Sequence, residues 1–213
     1  MNFKGAIFDL DGTLIDSMKI WDNVGTEFLI SYGIVPPENI ESILKPMSFY
    51  QSAEYFMTTY QINQSPNEIM KRVYENVADK YRDTILLKKF AREHLETLYA
   101  RGVKMCVATA SNKELALAAL KRLGILDYFE FVMTCDEIGE GKDQPKIYLE
   151  AAKQLGLDKS EICIFEDALY CVKTAKNEGF NVIGIYDESS EGDIEELRNL
   201  CDGFIMSFQE LIE

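Results

Sequence analysis

The sequence predicts an α/β protein, a doubly wound and mostly parallel sheet interrupted early by an all-helical insertion. Three observations carry this expectation. Short, near-continuous apolar runs recur along the 213 residues, and such strands are covered on both faces, as in parallel sheets. Amphipathic stretches that stop at glycine lie between them: Lys113–Leu123 before Gly124, Ile147–Leu155 before Gly156 and Leu169–Glu178 before Gly179. From Asp9 to Val103 there is no second strand, although a crossover needs only about a dozen residues.

The elements follow in order. Gly5–Phe8 is the first strand and runs into Asp9. Val103–Ala108 runs into Thr109, Phe131–Met133 into Thr134 and Ile162–Phe165 into Glu166. Phe180–Tyr186 runs into Asp187, and Gly203–Met206 into Ser207. Alternation of strands with helices gives the doubly wound sheet. The long interval reads as helices over Ser17–Tyr32, Glu38–Lys45, Tyr50–Tyr60 and Pro66–Tyr81, punctuated by Gly33, Pro36–Pro37, Pro46 and Ser65–Pro66. The expected division is a core of residues 1–15 and 87–213 and a helical cap of residues 16–86, folded over the end of the sheet.

Composition excludes several classes. Apolar residues make up 47% and charged residues 27%, as in ordinary globular domains. No apolar run approaches the roughly 20 residues that span a bilayer, and no signal peptide is legible at the N-terminus. Five cysteines without a CxxC pair suit a reducing compartment, so the expected location is the cytoplasm. The net charge of −14 opposes nucleic-acid binding, which needs clustered positive charge. Residues 187–213 hold nine acids and one base, Arg198, and read as a solvated acidic face. A protein this negative that binds phosphate must neutralise the ligand locally, with a metal ion or a placed lysine.

The sharpest chemical signal is Asp9–Leu10–Asp11–Gly12–Thr13–Leu14–Ile15–Asp16–Ser17. Two carboxylates two residues apart at a strand's carboxyl end point the same way if the strand continues. They lie where ligands bind in open α/β sheets, and they need a cation or a shared proton between them. The following glycine lets the chain turn away from the sheet. Gly12 comes too early for a calcium-binding EF-hand loop.

This nonapeptide resembles the opening motif of the haloacid dehalogenase superfamily, in its β-phosphoglucomutase-like phosphatase branch with a helical cap. The resemblance extends over nearly the whole chain and implies a Rossmann-like core. It makes Thr109–Ala110–Ser111–Asn112 the second motif, with the Thr109 hydroxyl and the backbone N–H groups around Ala110 and Ser111 on a phosphoryl group. Gly141–Lys142–Asp143–Gln144–Pro145 resembles the lysine motif, with Asp143 in place of its first proline. Lys142 is then expected to touch both phosphate and Asp9. Glu166–Asp167 forms the fourth motif, followed by Ala168 and Cys171 where the family often has serine and glycine.

The implied cofactor is a magnesium ion (Mg2+), a hard cation that prefers oxygen ligands. Asp9, Asp11 through its main-chain oxygen, and Asp167 would hold it, with Glu166 beside them directly or through water. The implied catalytic residues are Asp9 as nucleophile, Asp11 as acid and base, Thr109 and Lys142, with Gly12, Thr109, Ala110, Ser111 and Lys142 around the substrate phosphate. The implied reaction is hydrolysis of a phosphate monoester of a small metabolite. A phosphohexomutase is the alternative, but by alignment its cap arginine and histidine correspond to Phe49 and Trp21. Phosphonatases and dehalogenases lack the second acid, Asp11, and a non-catalytic binding protein has no need of four intact motifs. Specificity is expected around Lys45–Tyr50, at Phe49 and Tyr50, with Trp21 and Tyr55 further off. Asp16 or Ser17 is read as a helix cap, the lone His94 as a surface or linker residue, and the protein as a monomer by default.

Overall fold

The computed structural model describes residues 3–44, 47 and 49–212. Lys45, Pro46 and Ser48, part of the expected specificity loop, lie outside the described residues. The chain divides into two compact units, residues 1–18 with 85–213, and residues 19–84.

The first unit contains one sheet. Among the described residues its strands are β1 (Gly5–Phe8), β2 (Lys104–Thr109), β3 (Phe131–Thr134), β4 (Ile162–Glu166), β5 (Asn181–Ile185) and β6 (Gly203–Ile205). All pairings are parallel, in the order β3-β2-β1-β4-β5-β6. The chain thus winds outward from β1 in one direction and from β4 in the other, and the crevice for a ligand lies at the carboxyl ends of these two central strands. The expected doubly wound parallel sheet is the one found.

Side chains alternate between the two faces of a strand. Ile7, Cys106, Ala108, Ile164 and Val182 share one core cluster with Ile147, Tyr148, Ala151 and Leu155 of the helix Lys146–Leu155 and Val172 and Ala175 of the helix Leu169–Asn177. Phe8 and Phe165, each one position along, stack at 4.4 Å with only 11° between their rings. Their partner is His94 of the helix Ala91–Ala100.

His94 is not at the surface, as expected, but 4% exposed. Its ring lies 5.4 Å from that of Phe165, 6.3 Å from that of Phe8 and 5.3 Å from that of Phe208. Neither ring nitrogen has a hydrogen-bond partner. His94 stands on the buried stripe of its helix with Ala91, Leu95 and Leu98, at the i, i+3, i+4, i+7 spacing of a core-facing side, and the three phenylalanines that enclose it come from stretches far apart in the chain.

The second unit is helical: Met18–Trp21 leads into it, followed by Val24–Ser31, Ile40–Leu44, Phe49–Thr59 and Pro66–Asp83. It has its own core of Phe28, Leu29, Ile40, Ala53, Phe56, Ile62, Ile69 and Val73. The longest helix starts with a reciprocal cap, Ser65 and Glu68 bonding each other's backbone N–H, and has Pro66 in its first turn. The single helix expected over Ser17–Tyr32 is broken, because Asn23 leaves helical geometry to become the start of Val24–Ser31. Among the described residues no helix is long and apolar enough to cross a membrane.

Burial, with a smaller contribution from Arg101, lowers the His94 pKa from 6.5 to about 4. The unfolded chain therefore binds the proton first, and stability is lost as pH falls from about 6.5 towards about 4. Between pH 7 and pH 5 the wild type should lose about 2 kcal/mol more than a His94→Leu variant, measured by urea unfolding of both proteins at each pH.

Candidate active site

The site is built by the ends of β1, β2 and β4. The ladder between β1 and β4 sets Phe8 opposite Phe165, and the Asp9 N–H donates to the Phe165 carbonyl at 3.0 Å. Asp9, Glu166 and Asp167 consequently arrive side by side, all buried, each with a carboxylate oxygen within 4.8 Å of the others. They form the one group of this kind found among the described residues.

Gly12 explains how the chain leaves β1 without disturbing this cluster. Its φ is +84°, and a Cβ there would lie 2.5 Å from the Asp167 carboxylate. The turn it allows brings the Thr13 hydroxyl to donate to Asp167 Oδ1 at 2.9 Å. The loop closes on itself, with the Leu14 and Ile15 N–H groups on the Leu10 carbonyl and the Gly12 N–H on that of Ile15.

Lys142 is 3% exposed. Its ammonium donates to Asp9 Oδ1 and, at 2.7 Å, to Glu166 Oε1. The Tyr148 hydroxyl donates to the same Glu166 oxygen at 3.0 Å. Asp143, the departure from the lysine motif, leaves Lys142 inside the site. Pro145 immediately precedes the helix Lys146–Leu155 that carries Tyr148.

Asp11 is half-buried, and its carboxylate is held by two hydroxyls, Ser17 Oγ at 2.6 Å and Ser111 Oγ at 2.6 Å. Ser17 is thus drawn to Asp11, while Asp16 is exposed. Thr109 is fully buried at the end of β2, and its Oγ accepts the Ser111 N–H at 2.9 Å. Ala110 is exposed beside it. The structure therefore brings together Asp9, Asp11, Gly12, Ser111, Lys142, Glu166 and Asp167. Thr109 joins them through Ser111.

In the helical unit, Trp21 and Phe49 meet edge to face at 6.2 Å, and Phe49 packs on Tyr74 at 4.6 Å. The Trp21 indole N–H donates to the Tyr81 hydroxyl at 2.8 Å. Tyr50 is exposed. Sequence reasoning misses Thr13, Tyr148 and the role of Ser17. Thr13 and Ser17 stand inside the nonapeptide, where the acids and the glycine carry the signal, whereas Tyr148 offers none beyond a helical pattern.

Burial raises the Asp9 carboxyl to about 8. Lys142 pulls it down, and Glu166 and Asp11 push it up again. Burial likewise drives Asp167 well above the usual carboxylate range, helped by Asp9 and Glu166. For Lys142, burial favours the neutral amine, but Asp9 and Glu166 outweigh it and hold the ammonium charged. Three buried acids thus share one ammonium. Oxygen-only donors with an excess of negative charge fit a hard divalent cation. Protons and cation compete for the same oxygens. Magnesium affinity should therefore rise with pH up to about 8, by about tenfold per pH unit while one proton is displaced, as titration calorimetry at pH 6, 7 and 8 would measure.

The model of the haloacid dehalogenase-like hydrolase family matches residues 6–185, a span from β1 to the end of β5 that includes the helical insertion. A phosphorylated carbohydrates phosphatase of Thermotoga maritima is 26% identical over 190 residues, covering 89% of this chain and 88% of that protein. A phosphoglycolate phosphatase of Neisseria meningitidis is 28% identical over 189 residues, covering 85% and 80%. The crystal structure of β-phosphoglucomutase from Clostridium difficile has a TM-score of 0.77 and 19% identity, covering 98% of this chain and 93% of that one, and so shares the fold. With the family match spanning most of its length, the chain belongs to the haloacid dehalogenase-like hydrolases.

Proposed function

We propose that this protein is a magnesium-dependent phosphatase that hydrolyses a phosphate monoester of a small metabolite through an aspartyl-phosphate on Asp9. The observation that carries the reading is the setting of Asp9: its Oδ1 is held by Lys142, and it lies buried beside Glu166 and Asp167. Its named relatives act on phosphorylated carbohydrates and phosphoglycolate, which supports small phosphorylated metabolites as the substrate class.

Phosphate monoesters hydrolyse very slowly unaided, so the residues must lower a high barrier. Asp9 Oδ2 attacks phosphorus while the bond to the leaving oxygen breaks, which splits one hard displacement into two easier ones. Asp11 gives its proton to that leaving oxygen. In the second step it takes a proton from the water that attacks the phosphorus, and the bond to Asp9 breaks to release phosphate. The Ser17 and Ser111 hydroxyls fix Asp11 for both transfers. Lys142, and the Thr109 and Ser111 groups at the helix start, stabilise charge on the transferring group. A bound Mg2+, held by Asp9, Asp167 and the Asp11 main-chain oxygen with Glu166 beside them, would supply further charge neutralisation.

The helical unit enters the chain directly after the Asp9–Ser17 loop, and we assign it the role of a cap that excludes bulk water and shapes the leaving-group pocket. Phe49, Trp21 and Tyr50 are the proposed specificity residues. A phosphohexomutase would need a cation and a histidine in the cap, and the aligned positions, Phe49 and Trp21, supply neither. The enzyme should release inorganic phosphate from a hexose phosphate with no isomer of the substrate formed.

Asp9→Asn should lower kcat by roughly 10⁴-fold, as loss of a nucleophile does, while leaving the fold intact by circular dichroism. Chelation with EDTA should abolish phosphate release, and excess Mg2+ should restore it. Parent-rate turnover by Asp9→Asn would refute the mechanism.

A further inference from the structure

A second charge pair, half-buried Lys88 with buried Asp187, sits at the carboxyl end of β5, next to β4, and the proposed reaction does not use it. Lys88 Nζ donates to Asp187 Oδ2 at 2.5 Å and to the Tyr186 carbonyl at 3.2 Å. The two side chains are 18% and 5% exposed. Asp187 Oδ1 accepts from the Ser189 N–H at 2.9 Å and from its hydroxyl at 2.6 Å. Removing one member of such a buried pair leaves the other uncompensated.

Lys88 stands where the chain returns from residues 19–84. Its N–H donates to the Leu14 carbonyl at 2.9 Å, Ile15 and Leu87 form an antiparallel bridge, and the Asp16 N–H donates to the Leu86 carbonyl at 2.9 Å. Leu14 and Ile15 in turn close the loop that carries Asp9 and Asp11. That loop is therefore fastened at two points. Thr13 ties it to Asp167 just beyond β4, and Lys88 ties it to Asp187 beyond β5.

We propose that Lys88 is a positioning residue for the acidic site: it fastens the Asp9–Asp11 loop to the end of β5 through Asp187. The tether acts on geometry, and small misplacements of reacting groups cost large factors in rate. The tether acts also on the cation, because groups that orient ligating residues hold them at the spacing an ion needs. The activity part of this inference rests on the phosphatase reading, and the metal-affinity part rests only on the acidic cluster.

The test compares the wild type with Lys88→Arg, Lys88→Met and the double variant Lys88→Met/Asp187→Asn. Mg2+ affinity is measured by calorimetry without substrate, and kcat and KM are measured on p-nitrophenyl phosphate at saturating Mg2+. In Lys88→Met the loop is released from Asp187, so Mg2+ affinity should weaken about tenfold while kcat falls about tenfold with KM little changed. Lys88→Arg should restore both values. The double variant lacks the tether but leaves no uncompensated charge; it should keep the weakened Mg2+ affinity and the low kcat, and it carries the test if Lys88→Met does not fold. A Lys88→Met protein with parent Mg2+ affinity, or either Met variant with parent kcat, overturns the proposal. If the wild type itself hydrolyses no phosphate ester, the phosphatase reading falls and the calorimetric comparison alone decides the role of Lys88.

Discussion

The constraint on which the site depends is the register of β1 against β4. Phe8 and Phe165 lie opposite each other in the ladder and stack face to face at 4.4 Å, so the next residues of both strands, Asp9 and Glu166, emerge at the same level. With Asp167 they crowd three buried carboxyl groups together. Such crowding is unfavourable by itself, since each ionised group is desolvated and repels the others. It persists because the central strands are buried in apolar packing on both faces and because Lys142 supplies one positive charge at the centre. The remaining deficit is what a divalent cation can fill. The same register couples the site to the core beneath it, for the two phenylalanines that set the carboxylates also enclose His94.

The legible part of this arrangement is the part written in contiguous residues. Each apolar run that ends in an acid or a hydroxyl residue marks a strand and its carboxyl end, so β1, β2 and β4 and the positions of Asp9, Asp11, Thr109, Glu166 and Asp167 beside them can be read in order. Helix limits are less legible. Asn23 interrupts an otherwise amphipathic stretch, and Ile194–Leu200 forms a helix inside the acidic segment with Leu197 as its buried residue. Ile194, Leu197 and Leu200 fall at helical spacing and Leu197 and Leu200 pack on the core, but the acids between them make the segment read as a solvated face. Contacts between distant stretches are not legible at all. Tyr148 reaches Glu166 from another element, and His94 lies among rings from β1, β4 and the C-terminal turn at Phe208.

The departures from the family pattern fall where the geometry tolerates them. Asp143 replaces a proline beside Lys142, yet Lys142 remains buried, because the ammonium is fixed by Asp9 and Glu166 rather than by stiffness of the loop. Cys171 replaces a small residue in the first turn of the helix Leu169–Asn177 and is buried there. Burial, with the Glu166 charge beside it, keeps its thiol protonated, so it packs as a small apolar group.

The position of the helical unit follows from the same loop. A folded insertion is tolerated where its two ends lie close together, because joining them then costs the core little. Here the outgoing and returning strands are bonded to each other, Asp16 to Leu86 and Lys88 to Leu14, so residues 19–84 leave and re-enter the core at a single paired junction. That junction is the outer edge of the loop carrying Asp9 and Asp11. The bonds of that junction, with the Lys88–Asp187 pair beside them, therefore hold the two ends of the insertion to the loop within the first unit.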